Sequence, residues 1–147
     1  MFAPGPAAAS CAGPHLALEQ GGTTLAPRRV GQGDQEAILH DVRRDRPLRV
    51  NGSNLTFDCQ DTGSASSRGC GAPVTDPVKP LLPMQDPEVV LTQRGRSWIL
   101  GRVGVIGPDL TAQVVVNLPR AVRPGPATLF LRERRSAIGA QLELVIS

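Results

Sequence analysis

"EVVLTQRGRSWILGRVGV" (88–105) reads as two short apolar strands folded about Arg94-Gly95-Arg96, and that reading decides the fold class. The predicted strands are 88–93 and 97–105, rich in Val, Ile, Leu and Trp, with a glycine where a hairpin must reverse. The pattern repeats outward in both directions. Gly107-Pro108-Asp109 is the next turn, and "LTAQVVVNLP" (110–119) follows with Ala112, Val114, Val116 and Leu118 on one face. "RPGPATLFLRER" (123–134) opens on Pro124-Gly125 and carries a strand over 127–132. A turn at Arg135-Ser136 leads to a last strand over 140–146, with Leu142, Leu144 and Ile146 on its inner face.

Towards the N-terminus, "HLALE" (15–19) aligns Leu16 with Leu18, and "PLRVN" (47–51) aligns Leu48 with Val50. In "NLTFDC" (54–59) the apolar positions become Leu55, Phe57 and Cys59. Apolar parity therefore switches from even to odd across Asn51-Gly52-Ser53, which predicts a bulge or tight turn with Gly52 as the permissive residue. Residues 34–45 hold half a helical stripe that Asp34 could cap. The alternation of Ile38, His40 and Val42 favours a strand instead. Short alternating runs at this spacing predict an all-β, antiparallel sandwich of about seven to nine short strands.

One domain suits a chain of 147 residues, 40% hydrophobic and 20% charged. Phe2, Phe57, Phe130 and Trp98 are its aromatic residues. Readers of nucleic acids and sugars stack rings on their ligands, so this shortage argues against a nucleic-acid partner. Of the 16 basic residues only Lys79 is lysine. An arginine bias spread along the chain fits a GC-rich coding preference and is discounted as a functional signal. The densest basic runs, "RRDRPLR" (43–49) and "RERR" (132–135), could meet phosphates or an anionic envelope surface. Interrupted by acids, they read first as solvated strand edges that discourage aggregation.

The leader "MFAPGPAAASCAGP" places small residues before Cys11, as at the end of a signal peptide whose basic and apolar parts are missing or truncated. Residues 1–13 are expected to be a flexible leader or signal-peptide remnant, and 14–147 one sandwich domain. Cys11 reads as a free thiol or a lipid-anchored residue. No apolar run is long enough for a transmembrane helix.

Cys59 and Cys70 bracket a Ser/Gly loop. Their spacing lacks the short chelate of a zinc half-site, and they form no Cys-x-x-Cys redox pair. A disulfide suits them, since Cys59 ends a strand and the glycines beside Cys70 let the loop return. Such a bond requires an oxidising compartment, hence an extracellular or cell-surface location. Asp58 and Asp61 are weak candidates for a calcium site, with turn capping as the plainer role. His15, His40 and Met84 are scattered candidates for copper. No catalytic constellation can be assembled from two histidines, and no cofactor is expected.

"VVVNLPRAVRPGPATLFLRE" (114–133) resembles the last hairpin of bacterial immunoglobulin-like domains. "CAGPHLAL" (11–18) with "PLRVNGSNLTFDCQDT" (47–62) is similar to the opening of small secreted or surface domains of that kind in actinobacteria. The resemblance implies an immunoglobulin-like sandwich and export, and carries no catalytic residue. Trp98 follows both loop cysteines, so the intersheet disulfide of antibody domains is not expected. The function expected is a non-catalytic exported module for surface, adhesion or protein-interaction roles. A small extracytoplasmic carrier of calcium or copper is the alternative. Partners would be a protein or the cell-envelope surface, with the oligomeric state open.

Non-reducing peptide mapping of oxidised protein should return a Cys59–Cys70 peptide. Replacing both cysteines by serine should lower stability by roughly 2–3 kcal/mol, the closure entropy of a loop this long. Cys11→Ser should change little. A Cys11–Cys59 or Cys11–Cys70 peptide would contradict the pairing.

Overall fold

The computed structural model describes residues 11–56, 60–61, 82–133 and 139–147. Its regular structure there is β-strand, apart from one 3-10 turn at Gly33–Gln35. Eight strands have five residues or more: β2 (His15–Gln20), β5 (Ala37–Val42), β6 (Leu48–Ser53), β8 (Glu88–Gln93), β9 (Arg96–Arg102), β10 (Ala112–Val116), β11 (Gly125–Arg132) and β12 (Gly139–Ile146). Four are shorter: β1 (Cys11–Ala12), β3 (Thr23–Thr24), β4 (Arg28–Val30) and β7 (Gln60–Asp61). Two or three residues hold too little alternation to be read from sequence, so these four lie beyond the eight or nine runs the pattern gives.

Two sheets carry the fold. One runs β10-β6-β2-β3 and the other β4-β5-β12-β11-β8-β9, while β1 and β7 pair separately. Neighbours are antiparallel except β5 and β12. The expectation of an all-β, mainly antiparallel sandwich holds. Leu16, Leu18, Leu48 and Val50 of the smaller sheet face Val89, Leu91, Leu129, Leu131, Leu144 and Ile146 of the larger one, each at most 8% exposed. Alternate residues of a strand share a face, so this is the inward half of each apolar run. Within residues 34–45 the strand is β5, preceded by the 3-10 turn: β5 turns His40 and Val42 inward and leaves Ile38 half exposed.

The hairpin that opens the reading is real, with a tighter turn. Gln93 pairs with Arg96, so the loop is Arg94-Gly95 alone. Both residues have positive φ, 51° and 78°, as a type I′ turn requires. β9 ends at Arg102, short of the expected 105. A register shift opposite Val89 and Val90 leaves Leu100 as an extra residue, and Gly104 then turns the chain at φ 80°.

The parity switch is also real, but it happens at Asn54 rather than Gly52. Gly52 stays within β6 and Asn54 takes φ 52°. Leu55 then folds back over the strand, its amide donating to the Leu110 carbonyl at 2.8 Å. The role of Gly52 is steric. A Cβ there would stand 2.9 Å from both Leu55 Cδ atoms, and Leu55 is 1% exposed.

Two buried glutamines tie loops to the end of the sandwich where β2 and β8 finish. Gln20 Nε2 donates to the Arg43 carbonyl at 2.7 Å, and its Oε1 accepts from the Arg43 amide at 2.8 Å. Gln93 does the same with Arg123, at 2.7 and 2.9 Å. A primary amide offers one donor face and one acceptor face, so each glutamine pairs a loop residue as a neighbouring strand would.

Gly52→Ala should destabilise the fold by about 1–2 kcal/mol in urea denaturation, as overpacking does. Leu55→Ala should cost about 2–5 kcal/mol. In the Leu55→Ala background, Gly52→Ala should become nearly neutral. Additive costs would refute the steric account.

Candidate interaction surface

The outer face of the larger sheet is built by register. Val90 pairs with Ile99 on β9 and with Phe130 on β11, and Phe130 pairs with Gln141 on β12. This makes an apolar row that ends at the edge of the sheet. Val90 is 2% exposed yet belongs to no part of the core cluster, whereas Ile99 at the row's end is 57% exposed. Ser97, Thr92, Thr128 and Glu143 form the next row towards the hairpin turn. Thr128 Oγ1 donates to Glu143 Oε2 at 3.0 Å, and Gln141 Nε2 donates to Glu143 Oε1 at 2.9 Å. With Arg94 they line a shallow trough of about 390 Å³.

On the other flank, Arg102, Glu88 and Arg132 lie opposite one another on β9, β8 and β11. Arg102 Nη2 reaches Glu88 Oε1 at 3.0 Å, and Arg132 Nη2 reaches Glu88 Oε2 at 2.9 Å. The Glu88 side chain is 5% exposed, so this carboxylate is desolvated and held by two cations. The pairing locks β8 to both neighbours and keeps the sheet flank in register.

β9 is the edge of the larger sheet, paired only with β8 among the described residues. In a two-residue hairpin the pair closing the turn is hydrogen-bonded and the next is not. The main-chain groups of Ser97 and Ile99 therefore face away from β8. On the inner side, Trp98 packs against the core while the Arg96 guanidinium sits 5.2 Å from its ring centroid. The edge thus offers main-chain donors and acceptors beside an exposed isoleucine.

At the far side of the same face Arg28 and Asp41 form a two-pronged pair, Nε to Oδ2 at 2.7 Å and Nη2 to Oδ1 at 2.8 Å. The Arg28 hydrogen bonds hold the Asp41 carboxyl below its ordinary range, outweighing a small desolvation. Asp109 is held low as well, because the Thr111 hydroxyl and amide both donate to it.

No protein family, curated protein or solved structure matches this chain.

Among the described residues singled out in the sequence, Cys11 and Asp61 are paired, while His15, His40 and Met84 fall on separate parts of the fold. Asp58, Cys59 and Cys70 lie outside the described residues, as do leader residues 1–10 and the turn at Arg135-Ser136. Cys11 and Ala12, expected within the leader, form β1, and Cys11 pairs in register with Asp61 of β7. His15 is exposed on the smaller sheet, His40 is buried on β5, and Met84 is 1% exposed in the core. Among the described residues no group of three or more His, Cys, Asp or Glu is placed to hold a metal ion. No helix there is long and apolar enough to cross a membrane. The rows on the outer face escape a reading by motif, because their members lie on four strands. Their signal is the outward half of each alternating run, which means something only once register is known.

The carboxyl titration of Asp41, followed by NMR, should have its midpoint below the ordinary aspartate value of about 3.9. Arg28→Gln should move it back up. A depressed folded value means that the pair stabilises the fold above the unfolded midpoint, and that this is lost as pH falls through the folded one. Both side chains are about half exposed, so the amount should stay under about 1 kcal/mol.

Proposed function

We propose that this protein is a non-catalytic interaction module of immunoglobulin-like type that works outside the cytoplasm, binding an extended polypeptide segment along the β9 edge. The free edge with exposed Ile99 carries the reading. An added strand would pair with the outward main-chain groups of Ser97 and Ile99 and lay an apolar side chain against Ile99 and Val90. The trough of Ser97, Thr92 and Thr128 would take polar side chains of the same segment. Arg96 at the start of β9 favours an acidic residue in the partner, while Arg102 at its end is already paired with Glu88 and Asp86. Both disfavour a second copy of β9, whose antiparallel pairing about Ile99 would set Arg96 against Arg102.

Strand order supports the immunoglobulin-like part. Such sandwiches place strands A, B and E in one sheet and G, F and C in the other, with C′ beside C in the variable type. Taken in chain order, β2, β6, β8, β9, β10, β11 and β12 correspond to A, B, C, C′, E, F and G. Two features depart from antibody domains. Neither β6 nor β11, at the B and F places, carries a cysteine, and the tryptophan stands on β9 at the C′ place. The likeness to small exported domains and the loop cysteines Cys59 and Cys70 support the location.

Selection of displayed random dodecapeptides tests the binding reading. Enriched peptides should carry an apolar centre with an acid to one side, and titration of one into labelled protein should shift amide signals of β9 and its β8 neighbours. Ile99→Lys should weaken that peptide at least tenfold with an unchanged melting temperature. Peptides whose footprint avoids β9, or none enriched at all, would count against it.

A further inference from the structure

The β-strand registers gather connections scattered along the chain at one end of the sandwich. β5 and β12 run parallel and both finish there, at Val42 and Ile146. β8 ends there at Gln93 and β11 begins there, because Thr128 lies opposite Thr92 and Arg132 opposite Glu88. β10 also ends there, since Val116 lies opposite Leu48, the first residue of β6. Besides the Gly21-Gly22 turn, three connections close the same end: 43–47, the turn at Arg94-Gly95, and 117–124.

Each brings arginine. Arg43, Arg44 and Arg46 come from the first, Arg94 and Arg96 from the hairpin, and Arg120 and Arg123 from the third, all of them exposed. Asp45 lies among them, Glu143 lines the trough beside Arg94, and Glu19 and Asp41 stand one residue back from the ends of β2 and β5. Asp45 pairs with Arg43 at 3.4 Å, while Arg44 donates to the Val122 carbonyl at 2.8 Å. Arg46, Arg94, Arg120 and Arg123 make no ion pair among the described residues. Among the described residues the opposite end mixes its charges: Asp34, Glu36, Asp86, Glu88, Asp109 and Glu133 stand with Arg29, Arg102 and Arg132, and Arg134 and Arg135 follow Glu133 in the sequence.

We propose that the arginine-rich end seats the molecule upright on an anionic phospholipid surface. The arginines surround the blunt end of a two-layer sandwich, so a plane of phosphates can meet all of them at once, whereas a rod-like polyanion would meet a subset. The arginine-bearing connections themselves display no large exposed apolar side chain from which a protein interface could build a centre; the exposed Val115 near this end stands on β10, and Val105, Leu82, Ile38 and Val30 lie towards the other end or the far edge. They offer no free ring for stacking bases, because Trp98 packs inward beneath Arg96. The proposal does not depend on the β9 edge, which runs up the side of the sandwich.

Co-sedimentation with vesicles tests it, using equal parts phosphatidylglycerol and phosphatidylcholine against phosphatidylcholine alone, in 50 and 300 mM NaCl. The protein should bind the anionic vesicles at low salt, release at high salt, and ignore the neutral ones. Arg94→Gln/Arg120→Gln/Arg123→Gln should lose about 100-fold in affinity, since each arginine near such a surface contributes about fivefold. Single Arg46→Gln and Arg120→Gln variants should lose about fivefold each, which keeps the test decisive if the triple variant misfolds. Arg28→Gln/Arg29→Gln should bind as the parent does. Failure to bind anionic vesicles at 50 mM NaCl would overturn the proposal, as would equal losses in the two sets of variants. So would complete displacement by a stoichiometric amount of duplex DNA or polyglutamate, which would assign the end to a nucleic acid or an acidic protein.

Discussion

The register of β11 is the constraint on which the larger sheet depends. This strand is hydrogen-bonded on both sides, to β8 and to β12, and its inward residues Ala127, Leu129 and Leu131 are 5% exposed or less. A slip by one residue would exchange them for Thr128, Phe130 and Arg132, placing a guanidinium in the core. Because that exchange is so costly, the same register also fixes which outward residues meet. Arg132 falls opposite Glu88, Phe130 opposite Val90, and Thr128 between Thr92 and Glu143. Core packing thus sets the composition of a surface it never touches. The Arg102–Glu88–Arg132 row contributes to the same outcome, because a desolvated carboxylate between two arginines tolerates no other alignment.

How much of this could be read from the sequence follows from the range of each interaction. Inward faces were legible wherever a strand alternates for five residues or more, as with Leu142, Leu144 and Ile146, since alternation is a local property. Turns were legible where glycine or proline dictates the backbone, as at Arg94-Gly95 and Gly107-Pro108-Asp109, but Gly125 opens β11 and the turn expected at Pro124-Gly125 falls at 119–122, where the Val122 amide donates to the Pro119 carbonyl. The parity switch after Val50 was legible too, but its cause was not. Gly52 looked like a hinge, and only the position of Leu55 shows that it makes room for a side chain while Asn54 does the turning. β1, β3, β4 and β7 lay below the length at which a pattern exists. β5 was ambiguous because its inward face holds a histidine and its edge an exposed isoleucine, a weak alternation for either period.

The surfaces were less legible than the core for a reason that is physical. Burial acts on every residue alike and leaves a periodic trace. A surface row is assembled from single residues on separate strands, and no strand of it is unusual alone. Ser97, Thr92, Thr128 and Glu143 come from four strands, and each is an ordinary outward residue in its own run. The buried glutamines behave likewise. Gln20 and Gln93 read as polar strand ends, and their roles appear only when the loops they hold are folded beside them.

Arginine content illustrates the difference between composition and placement. A coding bias accounts for why arginine outnumbers lysine, and it distributes residues without regard to the fold. It does not account for why the connections at one end carry six arginines, with Arg96 a seventh at the start of β9. Charges at one end of a sandwich repel one another, and solvent-exposed loops screen that repulsion best, which is where these residues sit. The arrangement costs the fold little and leaves a field that extends about a Debye length, roughly 8 Å at physiological salt. Within that distance the arginine-bearing end is strongly basic although the chain as a whole is weakly so, and that end is reached along the strand direction. The β9 edge lies along that same direction rather than across it. A molecule held by its basic end would therefore present Ile99 and the outward main chain of β9 sideways, clear of whatever surface holds it.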